Sequence, residues 1–231
     1  MCGRYVIEGP TSRLTEYFDA KLLDEYELRT SYNVAPTTRV PVIRINRDGL
    51  RVVLEHRWGL VPSWAEGLDI GAKLTNARGE TVHEKPSFRT AFKKRRCLIP
   101  ATGYYEWQAP PENSKQRKQP YYFSPKEPST PYFAMAGICE HWRSLDDELV
   151  MTAAIITIEA TQEITHIHDR MPVMLDRENW TQWLDPSNDD VESLRQLLRP
   201  SKQPQFWPVG LEISAVGKGR VDMESLISLK I

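Results

Sequence analysis

Ten consecutive residues, Leu149 to Ile158, read Leu-Val-Met-Thr-Ala-Ala-Ile-Ile-Thr-Ile and carry no charged side chain. A run this apolar and β-branched predicts a central strand. A central strand needs neighbours, and shorter runs supply them: Gly3 to Ile7, Val40 to Ile45, Arg51 to Arg57, Cys97 to Ile99 ended by Pro100, Gly103 to Trp107, Tyr121 to Phe123 and Tyr132 to Ile138. Two of these flank Asn46-Arg47-Asp48-Gly49, which predicts a β-hairpin with a glycine-containing loop. Helical signals are short. Thr11 is placed to cap a helix with Leu14, Tyr17, Phe18 and Leu22 on one face, and a second helix surrounds Phe88 and Phe92. Asp176 is placed to cap a third through Trp180, Trp183 and Leu184, and Asp189 to Leu198 is amphipathic. Strands do not alternate regularly with long helices, which weighs against a doubly wound sheet. The expected class is α+β with mainly antiparallel pairing, in a single domain over residues 1–231.

The remaining stretches hold much of the polar chemistry. Ser31 to Pro36 reads as irregular chain, Trp58 to Trp64 as an aromatic loop, and Ala109 to Gln119 as a polar, flexible loop. Glu159 to Ile164 reads as a helical turn, and the tail from Phe206 to Ile231 holds short apolar pieces between prolines and glycines. Net charge is −1, so contact with a nucleic acid must rest on a local basic patch and not on a global field. Three cysteines, Cys2, Cys97 and Cys139, form neither a disulfide framework nor a metal-like spacing, and point to a reducing compartment. No signal peptide and no apolar run long enough to span a bilayer is legible, so a cytoplasmic protein is expected.

Four stretches carry candidate chemistry. Removal of Met1 leaves Cys2 with a free α-amine beside its thiol, a 1,2-aminothiol able to condense with an aldehyde and close a thiazolidine ring. Their reference pKa values, roughly 8 for both, leave reactive forms at neutral pH. The same group suits an N-terminal nucleophile attacking an amide, whereas a lone cysteine more commonly packs as a small hydrophobe. Asn76-Ala77-Arg78-Gly79-Glu80 offers an amide, a guanidinium and a carboxylate, or else a polar loop with a surface ion pair. Tyr105-Glu106-Trp107 sets an acid in an aromatic strand; facing inward it becomes a proton donor near neutrality, facing outward it is a solvated strand residue. His166-Ile167-His168-Asp169-Arg170 puts two imidazoles beside a charge pair. In a strand both would share a face and permit a metal, but no third ligand follows at a usual spacing, so no metal and no cofactor is expected. One histidine acting as acid or base beside an orienting carboxylate fits better.

Together these stretches, in order with Met1-Cys2-Gly3-Arg4-Tyr5, Tyr32-Asn33-Val34-Ala35-Pro36, Gly103-Tyr104-Tyr105-Glu106-Trp107 and Ile167-His168-Asp169-Arg170-Met171-Pro172, resemble the SRAP family of SOS-response-associated peptidases and abasic-site-processing proteins. The resemblance runs from residue 2 to Ser214-Ala215-Val216-Gly217, which resembles a C-terminal motif of that family. It implies a barrel-like core of mixed sheets flanked by helices. It also implies a protein of the DNA damage response that crosslinks covalently to abasic sites in single-stranded DNA, with AP-lyase, self-reversal and autopeptidase chemistry to be expected. By resemblance, Cys2 is the linking residue, Asn76 an active-site amide, Glu106 the acid and His168 the histidine. Arg4 and Arg78 match phosphate-contacting arginines, while Asn33, Trp64 and Trp107 lie in stretches lining a DNA channel. Ser63-Trp64-Ala65 departs from relatives that carry two adjacent aromatics, which bears on stacking and not on the chemistry. The Lys93-Lys94-Arg95-Arg96 run either extends the DNA footprint or is a solvated helix end. The expected partner is single-stranded DNA containing abasic sites, with no membrane, no obligate protein partner and a monomeric state.

Three rivals remain. Cys2, Glu106 and His168 could serve a peptidase that cleaves only the bond after Met1. A class II glutamine amidotransferase also begins Met-Cys-Gly but needs a synthetase domain for which 231 residues leave no room. A non-catalytic DNA-binding module would use Cys2 for packing alone.

Overall fold

The computed structural model describes residues 2–23, 27–127, 129–200 and 204–208. In chain order these form β1 (Arg4–Ile7), α1 (Thr11–Phe18), β2 (Lys21–Leu22), β3 (Ser31–Val34), β4 (Arg39–Ile45), β5 (Arg51–Trp58), β6 (Asn76–Arg78) and α2 (Arg89–Lys94). There follow β7 (Arg96–Ala101), β8 (Gly103–Gln108), β9 (Gln119–Ser124), β10 (Phe133–Arg143), β11 (Leu149–Glu159), β12 (Arg170–Pro172), α3 (Trp180–Leu184), α4 (Val191–Gln196) and β13 (Gln205–Pro208).

The apolar run is β11, and it is central in a stronger sense than its composition requires. One edge pairs antiparallel with β10 from Gly137↔Ile155 to Arg143↔Leu149, and its C-terminal end with β12. The other edge pairs in parallel with β5 at Thr152↔Arg57 and Ala153↔Trp58, then with β6 from Ile155↔Asn76 to Thr157↔Arg78. The β5 contact closes β11–β10–β7–β4–β5 into a barrel, because β10 pairs β7, β7 pairs β4 and β4 pairs β5. Closure gives β11 partners on both edges, and its residues from Thr152 to Ile158 are buried, so the run stays uncharged until Glu159 at its exposed end. The α+β, barrel-like expectation is met.

A second sheet, ordered β13-β9-β8-β1-β3, lies against this barrel. The join is aromatic: buried Tyr5 of β1 meets buried Trp58 of β5 edge-on at 5.3 Å, and the Trp58 indole donates to the Thr75 carbonyl at 2.9 Å. Two such rings each remove on the order of 200 Å² from water, roughly 5 kcal/mol apiece before the cost of ordering them. Past Trp58 the chain passes Gly59 at φ +126°, where an added Cβ would lie 2.4 Å from the Gly71 carbonyl oxygen. Only glycine allows that approach.

Several local expectations are corrected. Thr11 is the first helical residue of α1, not its cap, and its hydroxyl accepts instead from the Leu28 N–H at 2.7 Å. The helix stops at Asp19, which takes a left-handed φ of 48°, so Leu22 leaves the helical face and sits exposed in β2. Ser31–Val34 is a strand, not irregular chain, because β1 offers it a partner edge. Pro100 lies inside β7 and not at its end. The Asp176 side chain makes no capping bond; the real side-chain cap is Asp190 on α4, which accepts from the N–H groups of Glu192 and Ser193. The basic run is structural in its second half. Buried Arg96 donates to the carbonyls of Trp183 (2.6 Å), Phe92 (2.8 Å), Lys93 (2.6 Å), Asn188 (2.8 Å) and Asp185, while Arg95 pairs with Glu140 and Lys94 with Asp189. Residues 209–231, with Ser214 to Gly217, lie outside the described residues.

Candidate functional site

β1 runs between β3 and β8 and brings Cys2 to the mouth where the two sheets meet. Cys2 is wholly buried. Burial, reinforced by the nearby Glu106 carboxylate, pushes its thiol far above the ordinary range. The expectation of a ready thiolate is thereby corrected: burial and the neighbouring carboxylate outweigh the opposing pull of the N-terminal amine, and the sulfur keeps its proton.

Asn76 opens β6, and the parallel pairing of β6 to β11 fixes its direction. Its Nδ2 donates to the Cys2 carbonyl at 3.0 Å and to the Thr75 hydroxyl at 3.2 Å, while its Oδ1 is buried with no partner among the described residues. The amide thus holds the Cys2 backbone and presents a spare acceptor beside it.

Glu106 occupies the inward face of β8, only 2% exposed. Burial raises its carboxyl to about 7, with Asp169 adding to the shift and Lys118 opposing it. Of the two readings of that strand, the inward-facing acid is the one realised. His168 approaches from the turn before β12, with Nε2 3.8 Å from Glu106 Oε2. Its Nδ1 accepts from the Arg170 backbone N–H at 3.0 Å and lies 2.9 Å from Asp169 Oδ1. Partial burial lowers its pKa, so the imidazole is neutral at neutral pH. His166 and His168 sit in a turn and not in a strand, so they share no face. Among the described residues no three His, Cys, Asp or Glu side chains are grouped as metal ligands.

The four sequence-predicted reactive residues therefore converge. The others surround them unevenly. Arg4 Nη1 donates to Asn33 Oδ1 at 3.3 Å across the β1–β3 pair, so these two act as one polar patch. Arg78 is exposed on β6, Trp64 is 60% exposed on the loop after β5, and Trp107 is partly buried with its ring 6.4 Å from Tyr105.

Sequence reasoning missed three contributors. Tyr104, on the same face of β8 as Glu106, is fully buried, and its phenol is pushed up by burial and by the proximity of Cys2 and Glu106. The two-residue strand period could have flagged it. Lys118, in the polar loop, is near enough to act on both Glu106 and His168, for which the sequence holds no signal. Gln108 Nε2 donates to the His166 carbonyl at 3.0 Å and its Oε1 accepts from the Tyr121 hydroxyl at 3.3 Å, tying the histidine turn to β8 and β9.

Comparison with known proteins places the chain as a whole. The family model described as SOS response associated peptidase (SRAP) matches residues 1–216. A Bacillus subtilis protein, abasic site processing protein YobE, is 40% identical over 201 residues, covering 87% of this chain and 89% of that one. The Gallus gallus abasic site processing protein HMCES is 31% identical over 258 residues, covering 94% of this chain and 75% of that one. A crystal structure of a protein from Bacteroides thetaiotaomicron superposes with a TM-score of 0.81 at 28% identity, covering 93% of this chain and 94% of that one.

Proposed function

This chain belongs to the SOS response associated peptidase (SRAP) family, and on that premise we propose that it processes abasic sites in DNA by joining them covalently to Cys2. The observation that carries the reading is the grouping of a carboxyl poised near 7 and a neutral imidazole around a cysteine whose backbone is held by Asn76.

The chemistry runs as follows once Met1 is removed. The Cys2 α-amine attacks the C1′ aldehyde of the ring-opened deoxyribose, giving a carbinolamine. Protonated Glu106 gives its proton to the departing hydroxyl, water leaves, and an iminium remains with Glu106 as carboxylate. The Cys2 sulfur then adds to the iminium carbon while its proton passes to Glu106, which is restored as the acid. One C–N bond and one C–S bond form, and one water is lost overall. A raised thiol suits this order, because the sulfur is kept protonated until the iminium is present and a base stands beside it. His168 serves proton transfer at the sugar hydroxyls; the same group acting on the iminium would drive β-elimination, a lyase outcome. Arg78 and the Arg4–Asn33 patch would contact backbone phosphates and Trp64 and Trp107 would stack on unpaired bases, a combination suited to single-stranded DNA.

A second reading, self-cleavage of the bond between Met1 and Cys2, is favoured by the proximity of Cys2 to Glu106 and of Glu106 to His168. Self-cleavage would supply the amine, and the protonated thiol disfavours a general cysteine peptidase.

The test is intact mass after mixing the protein with a single-stranded oligonucleotide carrying one abasic site. The expected species is protein without Met1 plus oligonucleotide minus one water. An adduct of equal yield from Cys2→Ala, or none from the wild type, would overturn the proposal.

A further inference from the structure

Two charged residues of the motifs take no part in this chemistry, and the structure makes them each other's partner. Glu80 stands four residues after Asn76, and Arg170 two residues after His168. Arg170 Nη1 donates to Glu80 Oε1 and Nη2 to Glu80 Oε2, each at 2.8 Å, a bidentate fork. Nη2 also donates to the Thr157 carbonyl at 2.7 Å, and Glu80 Oε1 accepts from the Glu159 N–H at 3.3 Å. The Arg170 side chain is 9% exposed against 44% for Glu80, so this is a partly buried brace and not the surface ion pair that the motif alone suggests.

Its position matters more than its strength. β6 and β12 lie on opposite edges of β11, with Thr157 paired to Arg78 on one side and to Pro172 on the other. Among the described residues no hydrogen bond of the sheet joins those two edges to each other; the Glu80–Arg170 fork spans from one to the other over the end of β11. Two groups meet His168 Nδ1: the Arg170 backbone N–H at 3.0 Å favours the form with the proton on Nε2, the nitrogen that faces Glu106, and the Asp169 carboxylate at 2.9 Å favours the form with the proton on Nδ1.

We propose that Glu80 and Arg170 are a positioning pair that registers the His168 turn against the Asn76 strand and holds His168 in its Nε2–H form. The proposal rests on the function given above for its kinetic consequence, but not for its tautomer. The charged groups facing the imidazole are the N-terminal α-amine, Glu106 from β8, Lys118 from the polar loop and Asp169 from its own turn, while Arg170 meets it through its backbone N–H alone. Without the brace, Arg170 is free to draw its N–H away from Nδ1, and Asp169 then competes for a proton on that nitrogen.

Glu80→Gln keeps the shape of the fork and removes the charge, while Arg170→Lys keeps the charge and removes the fork; should one fail to fold, the other decides. Two measurements are made on each and on wild type: the His168 ring-nitrogen shifts by NMR, and the initial rate of adduct formation with an abasic single-stranded oligonucleotide from pH 5 to 9. The expected result is wild-type His168 in the Nε2–H form and a mixture of tautomers in the variants. Rates fall on the order of ten- to a hundredfold, with the low-pH limb displaced, while affinity for undamaged single-stranded oligonucleotide stays unchanged. Variants with the wild-type tautomer and pH profile but a lowered melting temperature would overturn the proposal, leaving a stabilising ion pair only. A wild-type protein that forms no adduct sinks the function above, and the NMR result still decides the brace.

Discussion

Glu106 shows how much one buried carboxyl can carry. Its pKa is raised in the folded chain, so the folded state binds the proton more tightly than the unfolded one. The stabilisation is complete below the unfolded value of 4.5 and is lost as pH rises through about 7, a swing of roughly 3 kcal/mol. Glu106→Gln is therefore expected to be more stable than wild type at pH 8 relative to pH 5, measured by denaturant unfolding at both. It is also expected to slow adduct formation by about 10²- to 10³-fold, because an amide cannot give up a proton. Equal stability differences at the two pH values would show that Glu106 is not the buried acid. Asn76→Ala separates holding from folding. It removes the bonds to the Cys2 carbonyl and the Thr75 hydroxyl but also a buried, unpartnered Oδ1, so stability should fall by about 1 kcal/mol while the adduct rate falls as well. Cys2, Asn76, Glu106 and His168 were all named from sequence, yet only resemblance singled them out. Read alone, each residue was as consistent with packing or a solvated surface, since inward orientation of Glu106 depends on strand parity relative to a core not visible in the chain.

At the scale of elements, β8 holds Glu106 at its centre and Gln108 at its end, and Gln108 links to the His166 carbonyl and the Tyr121 hydroxyl. Gln108→Leu should lower the adduct rate several-fold with little loss of melting temperature, because the bonds lie near the surface and are worth about 1 kcal/mol at most. A loss of stability without a rate effect would assign Gln108 to the fold alone. Where sequence reading of elements failed, the cause was a local event overriding a sound pattern. The helical period that includes Leu22 is real, but the left-handed Asp19 ends α1 first. Ser31–Val34 looks like turn chemistry because of Asn33 and Pro36, and becomes β3 only because β1 pairs with it. Arg96 sits in a basic run typical of a DNA footprint, but it is consumed by carbonyls from α2 and from the segment around α3.

For the whole molecule, closure of the barrel was the least legible fact. The apolar run announced a central strand, but its pairing with β5 joins residues nearly a hundred positions apart, and no local signal encodes that distance. The crossing after β5 is correspondingly sensitive. Gly59→Ala sets a Cβ into the Gly71 backbone at a positive φ, and a loss on the order of 3 kcal/mol is expected in chemical denaturation. With a net charge of −1, the proposed binding to single-stranded DNA would have to come from a few cations. Arg78→Ala should weaken non-covalent binding and reduce the slope of log affinity against log salt by about 0.7, whereas Lys93→Ala should leave both unchanged. Equal effects would move the footprint to α2.

The order of the second sheet has a consequence for how the protein is made. β1 has β3 on one side, complete some thirty residues later, and β8 on the other, which follows only after about a hundred residues have been added. At translation speeds of roughly 5–20 residues per second, Cys2 spends on the order of 5–20 s without Glu106, and longer without His168. During that interval the bond before Cys2 is open to a ribosome-associated aminopeptidase; in the folded chain with Met1 in place, Cys2 is buried. Synthesis thus separates two routes to the amine in time: removal by an external aminopeptidase comes first, and self-cleavage only after Glu106 and His168 are in place.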